Sequence, residues 1–195
     1  MQTTTLSFHN FHTHGALFTN ILRARRESFI VQNKWDLPEV DGMEFDQYDT
    51  PQSRWIAVHE FGRVLAGIRM TPTTARCGIY SYMIRDAQLG LLNSIPSNLL
   101  YDEAPVCPHT WETSRVFIAR DVPGELRCDV QRDLMTEMVR TARSEGATTL
   151  LGLCPAVWGR WMRRIGFQTE PAGPVLDIGG VPNRAVLMRL GSNLH

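Results

Sequence analysis

Between residues 25 and 115 the chain sets out Arg25, Phe29 and Trp35, then Glu44, Asp46 and Asp49, then Arg69, and last the run Trp111-Glu112-Thr113-Ser114-Arg115. A carboxylate can hold an ammonium or sulfonium, an arginine fork can hold a carboxylate, and an aromatic face can take a cation or a heterocycle. Together these groups suit a sulfonium cation that carries an amino acid and an adenine. The same residues could also form a purely structural ion-pair cluster, because buried charges persist only when paired. Both readings stand for Glu44 and Asp49, while Asp46 and Glu112 are the stronger candidates for chemistry.

The elements that must position these groups follow from periodicity. Over 16–32 the apolar Leu17, Ile21, Leu22, Phe29 and Ile30 recur at helical spacing, with arginines between them. Pro38, Gly42 and a group of acids then predict an exposed or cleft-lining loop over 36–53. Strand-like runs over 55–61 and 64–70 flank Gly62-Arg63, which predicts a tight hairpin, and Pro72 closes the second strand. Residues 76–110 mix short apolar runs with prolines and predict one or two covering helices. A strand follows over 111–119, then a helix over 129–145 with Gly146 past its end, a buried strand over 148–153, a helix over 155–164, and two last strands over 175–178 and 185–190. A mixed sheet flanked by helices, α/β or α+β, is the expected architecture.

With 195 residues the chain is expected to form one domain, 1–195. Its 43% apolar and 21% charged residues are those of a soluble globular protein. A formal net charge of zero disfavours a general nucleic-acid binder, although arginine outweighs acid after Ser114, a hint of an acidic partner. No apolar run reaches the ~20 residues of a membrane span. Cys77, Cys107, Cys128 and Cys154 are scattered without a Cys-x-x-Cys pair, which predicts reduced thiols in a cytoplasm, and the stretch from Thr3 to His9 reads as a mature start. His9, His12 and His14 lack the partners that complete a zinc site, so no metal is expected.

The ordered motif resembles the acyl-homoserine-lactone synthases of the LuxI type, the autoinducer synthases of quorum sensing. The resemblance runs from about Arg25 to Leu190 and is carried by Arg25-Phe29-Trp35, by Glu44, Asp46 and Asp49, by Arg69 ahead of Pro72-Thr73-Thr74, and by Trp111-Glu112-x-Ser114-Arg115. It implies a GNAT-like fold: a mixed, mostly antiparallel sheet whose two central strands, over 64–71 and 112–119, splay apart to admit an acyl donor. It further implies that the amine of S-adenosylmethionine attacks a fatty acyl thioester, after which the methionine carboxylate closes a lactone and expels methylthioadenosine. No cofactor is held permanently.

On this resemblance Glu112 is the expected general base, with Asp46 and Arg115 also in the catalytic group. S-adenosylmethionine would be bound by Arg25, Phe29, Trp35, Asp46, Arg69, Ser114, Arg115 and an aromatic that is Tyr80 or Tyr82, with Tyr82 preferred. Glu44 and Asp49 would be structural ion-pair partners. Leu134, Met135, Met138, Leu153 and Trp158 would line the acyl pocket. The donor is acyl-carrier protein or acyl-CoA. Between Ala119 and Asp129 only Gly124 is available, unlike the glycine-rich phosphate loop of coenzyme A enzymes, which favours a carrier protein docked on Arg127, Arg132, Arg160, Arg163 and Arg164. A GNAT-type N-acyltransferase acting on another amine, and a non-catalytic ligand-binding regulator, are the competing readings.

Overall fold

In the computed structural model, residues 1–164 and 166–191 are described, with the backbone alone for Arg160, Arg163 and Arg164. Of the expected docking arginines, those three side chains therefore lie outside the description. The chain forms two compact units, each assembled from two stretches: Met1–Met70 with Arg115–Thr141, and Thr71–Ser114 with the chain from Ala142 onward.

In the first unit β1 (Gln2–Leu6), β4 (Arg54–Glu60) and β5 (Arg63–Pro72) pair antiparallel in that order. Residues 55–59 of β4 are all buried, and the first four, Trp55 to Val58, read as a continuous apolar run rather than an alternation. Its turn to β5 is centred on Phe61 and Gly62, both with positive φ as a two-residue type I′ hairpin demands. That places the turn one residue before the expected Gly62-Arg63. β1 was not anticipated: three threonines on a half-buried edge give no strong apolar signal.

Helix α1 (Leu17–Arg25) turns Leu17, Ile21, Leu22 and Arg25 inward. Its path continues as a π-helical segment, Arg26–Gln32. That segment ends with Asn33 N–H on the Ser28 carbonyl, Lys34 in the left-handed region (φ 60°) and Trp35 N–H on the Phe29 carbonyl. The backbone thus folds Trp35 back over Phe29. The expected loop over 36–53 contains a small hairpin, β2 (Glu39–Val40) with β3 (Met43–Glu44), closed by Asp41-Gly42 at positive φ. Asp-Gly is the usual composition of such a turn.

Leu6, Leu17, Ile21, Phe29, Trp55, Ala57, Val64 and Phe117 form a core of this unit. Most of α3 (Arg127–Ser144) also belongs to it, with Val130, Leu134, Met135, Met138 and Val139 buried. A polar tie joins β1 to α3: Thr5 Oγ1 donates to Glu137 at 2.7 Å and lies 2.8 Å from Thr141 Oγ1.

The second unit holds the start of β6 (Thr110–Ile118), then β7 (Thr149–Pro155), β9 (Val181–Arg189) and β8 (Thr169–Ile178). The β6–β7 pairing is parallel and the other two are antiparallel. β8 begins six residues before the expected 175. Its early part contains Pro171, Gly173 and Pro174, which argue against a strand in sequence but are tolerated because β8 is the outer strand and shifts register between Pro171 and Val175. Helix α2 (Met83–Gln88) is the covering helix expected in 76–110, and α4 (Trp158–Arg164) follows β7.

Candidate active site

Three arginines and three carboxylates of the first unit form a closed ring of alternating charge. Arg69 Nη1 donates to Asp46 Oδ1 at 2.5 Å and Nη2 to Oδ2 at 3.2 Å. Arg115 Nη2 donates to Asp46 Oδ2 at 2.8 Å and its Nε to Glu44 Oε1 at 3.1 Å. Arg25 Nε donates to Glu44 Oε2 at 2.6 Å, while Nη1 and Nη2 grip both oxygens of Asp49 at 2.7 and 2.9 Å. Asp49 closes the ring on Arg69 Nη1 at 3.1 Å. Six formal charges cancel within the ring, which is the condition under which such groups survive burial.

The ring is almost wholly out of water. Arg25, Glu44, Asp49 and Arg69 have side chains no more than 1% exposed, and Arg115, at 10%, is the most open. Burial works against the charge of Asp46, yet Arg69 and Arg115 outweigh it and hold the carboxyl below the ordinary aspartate range. Burial likewise opposes the charge of Asp49, and Arg69 and Arg25 outweigh it and hold this carboxyl below the ordinary range too. Burial pulls the Arg25 guanidinium down, but Asp49 and Glu44 raise it above its usual value.

Backbone and aromatic groups complete the enclosure. Asp46 also accepts Tyr48 N–H at 2.9 Å, and Asp49 accepts Asp46 N–H at 2.9 Å and Trp55 Nε1–H at 2.8 Å. Asp46 therefore holds four donors on two oxygens, the full capacity of a carboxylate. Phe29 stacks on Trp35 with ring centres 5.1 Å apart and 14° between planes. Arg115 lies over Phe29 at 5.7 Å. Phe29 is buried, whereas Trp35 remains 46% exposed.

Arg115 is distinctive in its backbone: φ is 54° in the middle of β6. Glu112 and Ser114 are buried, Arg115 and Val116 half-buried, and Phe117 buried again, so the alternation slips by one residue at this point. A non-glycine residue in that region costs of order 1–3 kcal/mol. Its two carboxylate partners offset that strain.

In the second unit Glu112 is fully buried and accepts Ile84 N–H at 2.7 Å and Met83 N–H at 3.4 Å, both from the first turn of α2. Tyr82 is fully buried too, and its hydroxyl donates to the Pro105 carbonyl at 2.7 Å. Burial, aided by Glu112, pushes its phenol above the ordinary value. Tyr80 is half-buried and Ser114 is 6% exposed.

Of the candidate acyl-pocket residues, Leu134, Met135 and Met138 are buried in α3 of the first unit. Leu153 and Trp158 are half-buried in the second, where Trp158 packs on Trp161 at 5.6 Å between ring centres. A cavity of about 480 Å³ in the first unit is lined by His14, Leu17, Asn20, His59 and Phe61 among others, and by none of the ring residues. Among the described residues no group of three His, Cys, Asp or Glu could hold a metal ion, and no helix is long and apolar enough to cross a membrane.

The family model for autoinducer synthases matches residues 9–191. The chain belongs to the autoinducer synthase family. It is 33% identical over 165 residues to an acyl-homoserine-lactone synthase of Ralstonia solanacearum, covering 81% of this chain and 74% of that one. With the acyl-homoserine-lactone synthase of Pseudomonas aeruginosa it shares 28% identity over 172 residues, 88% and 80% of the two chains. Among solved structures, the AHL synthase LasI superposes with a TM-score of 0.79 at 26% identity, covering 97% of this chain and 90% of that one. TofI in a ternary complex with an inhibitor and MTA gives 0.76 at 28% identity, covering 97% and 92%. An acyl-CoA N-acyltransferase from Pseudomonas aeruginosa shares the fold at 0.61 and 15% identity. The mixed, mostly antiparallel architecture is thus GNAT-like, as expected.

Two residues of this family member escaped the sequence reading. Trp55 supplies an indole donor to Asp49, and Tyr48 puts its ring under Arg69 at 5.7 Å while donating its N–H to Asp46. Tyr48 sits two residues past Asp46 in the same turn, which was the available signal. Trp55 had none, since an indole on a strand reads as core.

Proposed function

We propose that the protein makes an N-acyl-L-homoserine lactone signal from S-adenosylmethionine and a fatty acyl thioester. The observation that carries this reading is the match over residues 9–191 to the autoinducer synthases, and every charged residue of the motif in the first unit belongs to one closed ring.

The amine lone pair attacks the thioester carbonyl, the C–S bond breaks and the thiolate leaves. The methionine carboxylate then attacks its own γ-carbon, the C–S⁺ bond breaks, and methylthioadenosine departs. For the first step the ammonium must lose a proton. Glu112 is our candidate acceptor, since two N–H donors suit a carboxylate, the form able to take a proton. Trp35 offers an exposed aromatic face for the sulfonium or adenine. Arg115, with its guanidinium at the open side of the ring, is suited to the substrate carboxylate.

Arg25, Arg69, Glu44 and Asp49 hold the 44–49 loop and act through it. Asp46, with four donors on its two oxygens, acts by aiming Arg69 and Arg115, and Phe29 supports Trp35 and Arg115. Ser114 and Tyr82 remain proposed S-adenosylmethionine contacts, Tyr82 with its hydroxyl fixed on the Pro105 carbonyl. Leu134, Met135, Met138, Leu153 and Trp158 remain the proposed acyl-chain contacts. For the donor we favour acyl-carrier protein over acyl-CoA, because the segment from Asp121 to Glu125 is acidic with one glycine, and we place the reaction in the cytoplasm where such thioesters are made.

Incubation with S-adenosylmethionine and a panel of acyl thioesters, read for methylthioadenosine and acylated lactone, tests the reading. Free thiol without methylthioadenosine would point instead to an N-acyltransferase on another amine. Binding of S-adenosylmethionine without turnover would point to a regulator.

A further inference from the structure

The amide groups that face Glu112 need support of their own. Helix α2 has six residues, and its capping residue Tyr82 makes no side-chain capping bond. A helix this short is unstable alone, and its first-turn N–H groups lack partners within it. Glu112, 28 residues away along the chain, fills that role through Ile84 and Met83.

The second anchor of this turn is Asp86. It is fully buried, as is Ser81 but for 1%. From within the helix it reaches back to the residue before the cap: Ser81 N–H donates to Asp86 Oδ2 at 2.9 Å and to Oδ1 at 3.2 Å, and Ser81 Oγ donates to Oδ1 at 2.5 Å. This resembles the returning arm of a capping box, moved one position along the helix and one before the cap. At its far end Asp86 anchors the helix exit, its carbonyl accepting Leu91 N–H at 2.9 Å.

We propose that Asp86 is the positioning residue for Glu112: by clasping Ser81 it fixes the turn whose N–H groups hold the Glu112 carboxylate in place. The inference rests on Glu112 as proton acceptor. It is tested by Asp86→Asn, Ser81→Ala and Ser81→Thr against Glu112→Gln, read through kcat and KM for S-adenosylmethionine across pH and through the amide resonance of Ile84. Asparagine keeps the size of the side chain but loses one acceptor, so kcat should fall about tenfold or more. The acid limb of the kcat profile should move with it, KM should change little, and the Ile84 amide proton should shift upfield.

Ser81→Ala removes only the hydroxyl bond and should give a smaller change in the same sense, which Ser81→Thr restores. It serves also if Asp86→Asn fails to fold. A folded Asp86→Asn or Ser81→Ala protein with the wild-type pH profile and an unmoved Ile84 resonance, while Glu112→Gln is slow, overturns the inference alone. Wild-type turnover by Glu112→Gln overturns the reading beneath it.

Discussion

A Cβ added to Gly67 would lie 2.8 Å from Cε1 of Phe117. The Phe117 ring occupies the space that any side chain on this residue of β5 would need. Phe117 meets Phe29 edge to face at 6.0 Å, and Phe29 carries Trp35. One missing side chain on a strand thus sets the height of an aromatic stack that ends at an exposed indole.

Gly67→Ala should therefore destabilise the protein by ~1–3 kcal/mol, the usual range for overpacking. Urea unfolding should show this, and Gly67→Ala combined with Phe117→Leu should cost less than the two single changes added together. Strict additivity would mean that the contact does not limit the packing.

Breaking the charge ring should be costly because it leaves a buried charge unpaired. Asp49→Ala leaves Arg25 with Glu44 alone, the buried ring one negative charge short, and also orphans the indole N–H of Trp55, so a loss of ~3–5 kcal/mol is expected by denaturant melts. The acid limb follows from the lowered carboxyls. Asp46 and Asp49 titrate below the unfolded value of 3.8. Their contribution is present in full above that value and falls away as pH drops below it toward the folded values. Asp49→Asn should flatten the stability profile below pH 3.8 and leave its slope unaltered near neutrality.

Lys34 is exposed in a left-handed conformation that glycine adopts freely. Lys34→Gly should raise stability by up to ~1 kcal/mol. Lys34→Val, β-branched and disfavoured at φ 60°, should lower stability, loosen Trp35 and raise KM for S-adenosylmethionine. Equal KM values for the two variants would separate Trp35 from substrate binding.

Arg115 joins a strained backbone to a forked side chain, and substitution can separate the two. Lysine cannot bridge Glu44 and Asp46 together as Nε and Nη2 do. Arg115→Lys should raise KM for S-adenosylmethionine about tenfold or more, a loss of ~1.4 kcal/mol. Arg115→Gly should melt above Arg115→Ala, because it removes the positive-φ strain, yet be no more active. An Arg115→Lys enzyme with unchanged KM would remove the guanidinium from the substrate site.

Much of this molecule was legible from local pattern. Helical spacing over 17–25, the β4–β5 hairpin and the long helix after Arg127 each announce themselves through neighbours a few residues apart, and the ordered motif from Arg25 to Arg115 identified the family without coordinates. What chain order left open was how the charges divide. The bonds of the ring span up to 71 residues, and no local rule pairs Arg25 with Asp49 or Arg115 with Asp46. Lys34 and Arg115 carry no composition signal for a left-handed backbone, and β8 hid behind Pro171 and Pro174 because only an outer strand tolerates them. The motif of Arg25, Asp46, Asp49, Arg69, Glu112 and Arg115 is thus a property of the chain by itself. Tertiary structure decided which of those charges neutralise one another and gave Glu112 its amide partners on α2, because removal from water forces every charge to find a partner wherever the fold brings one.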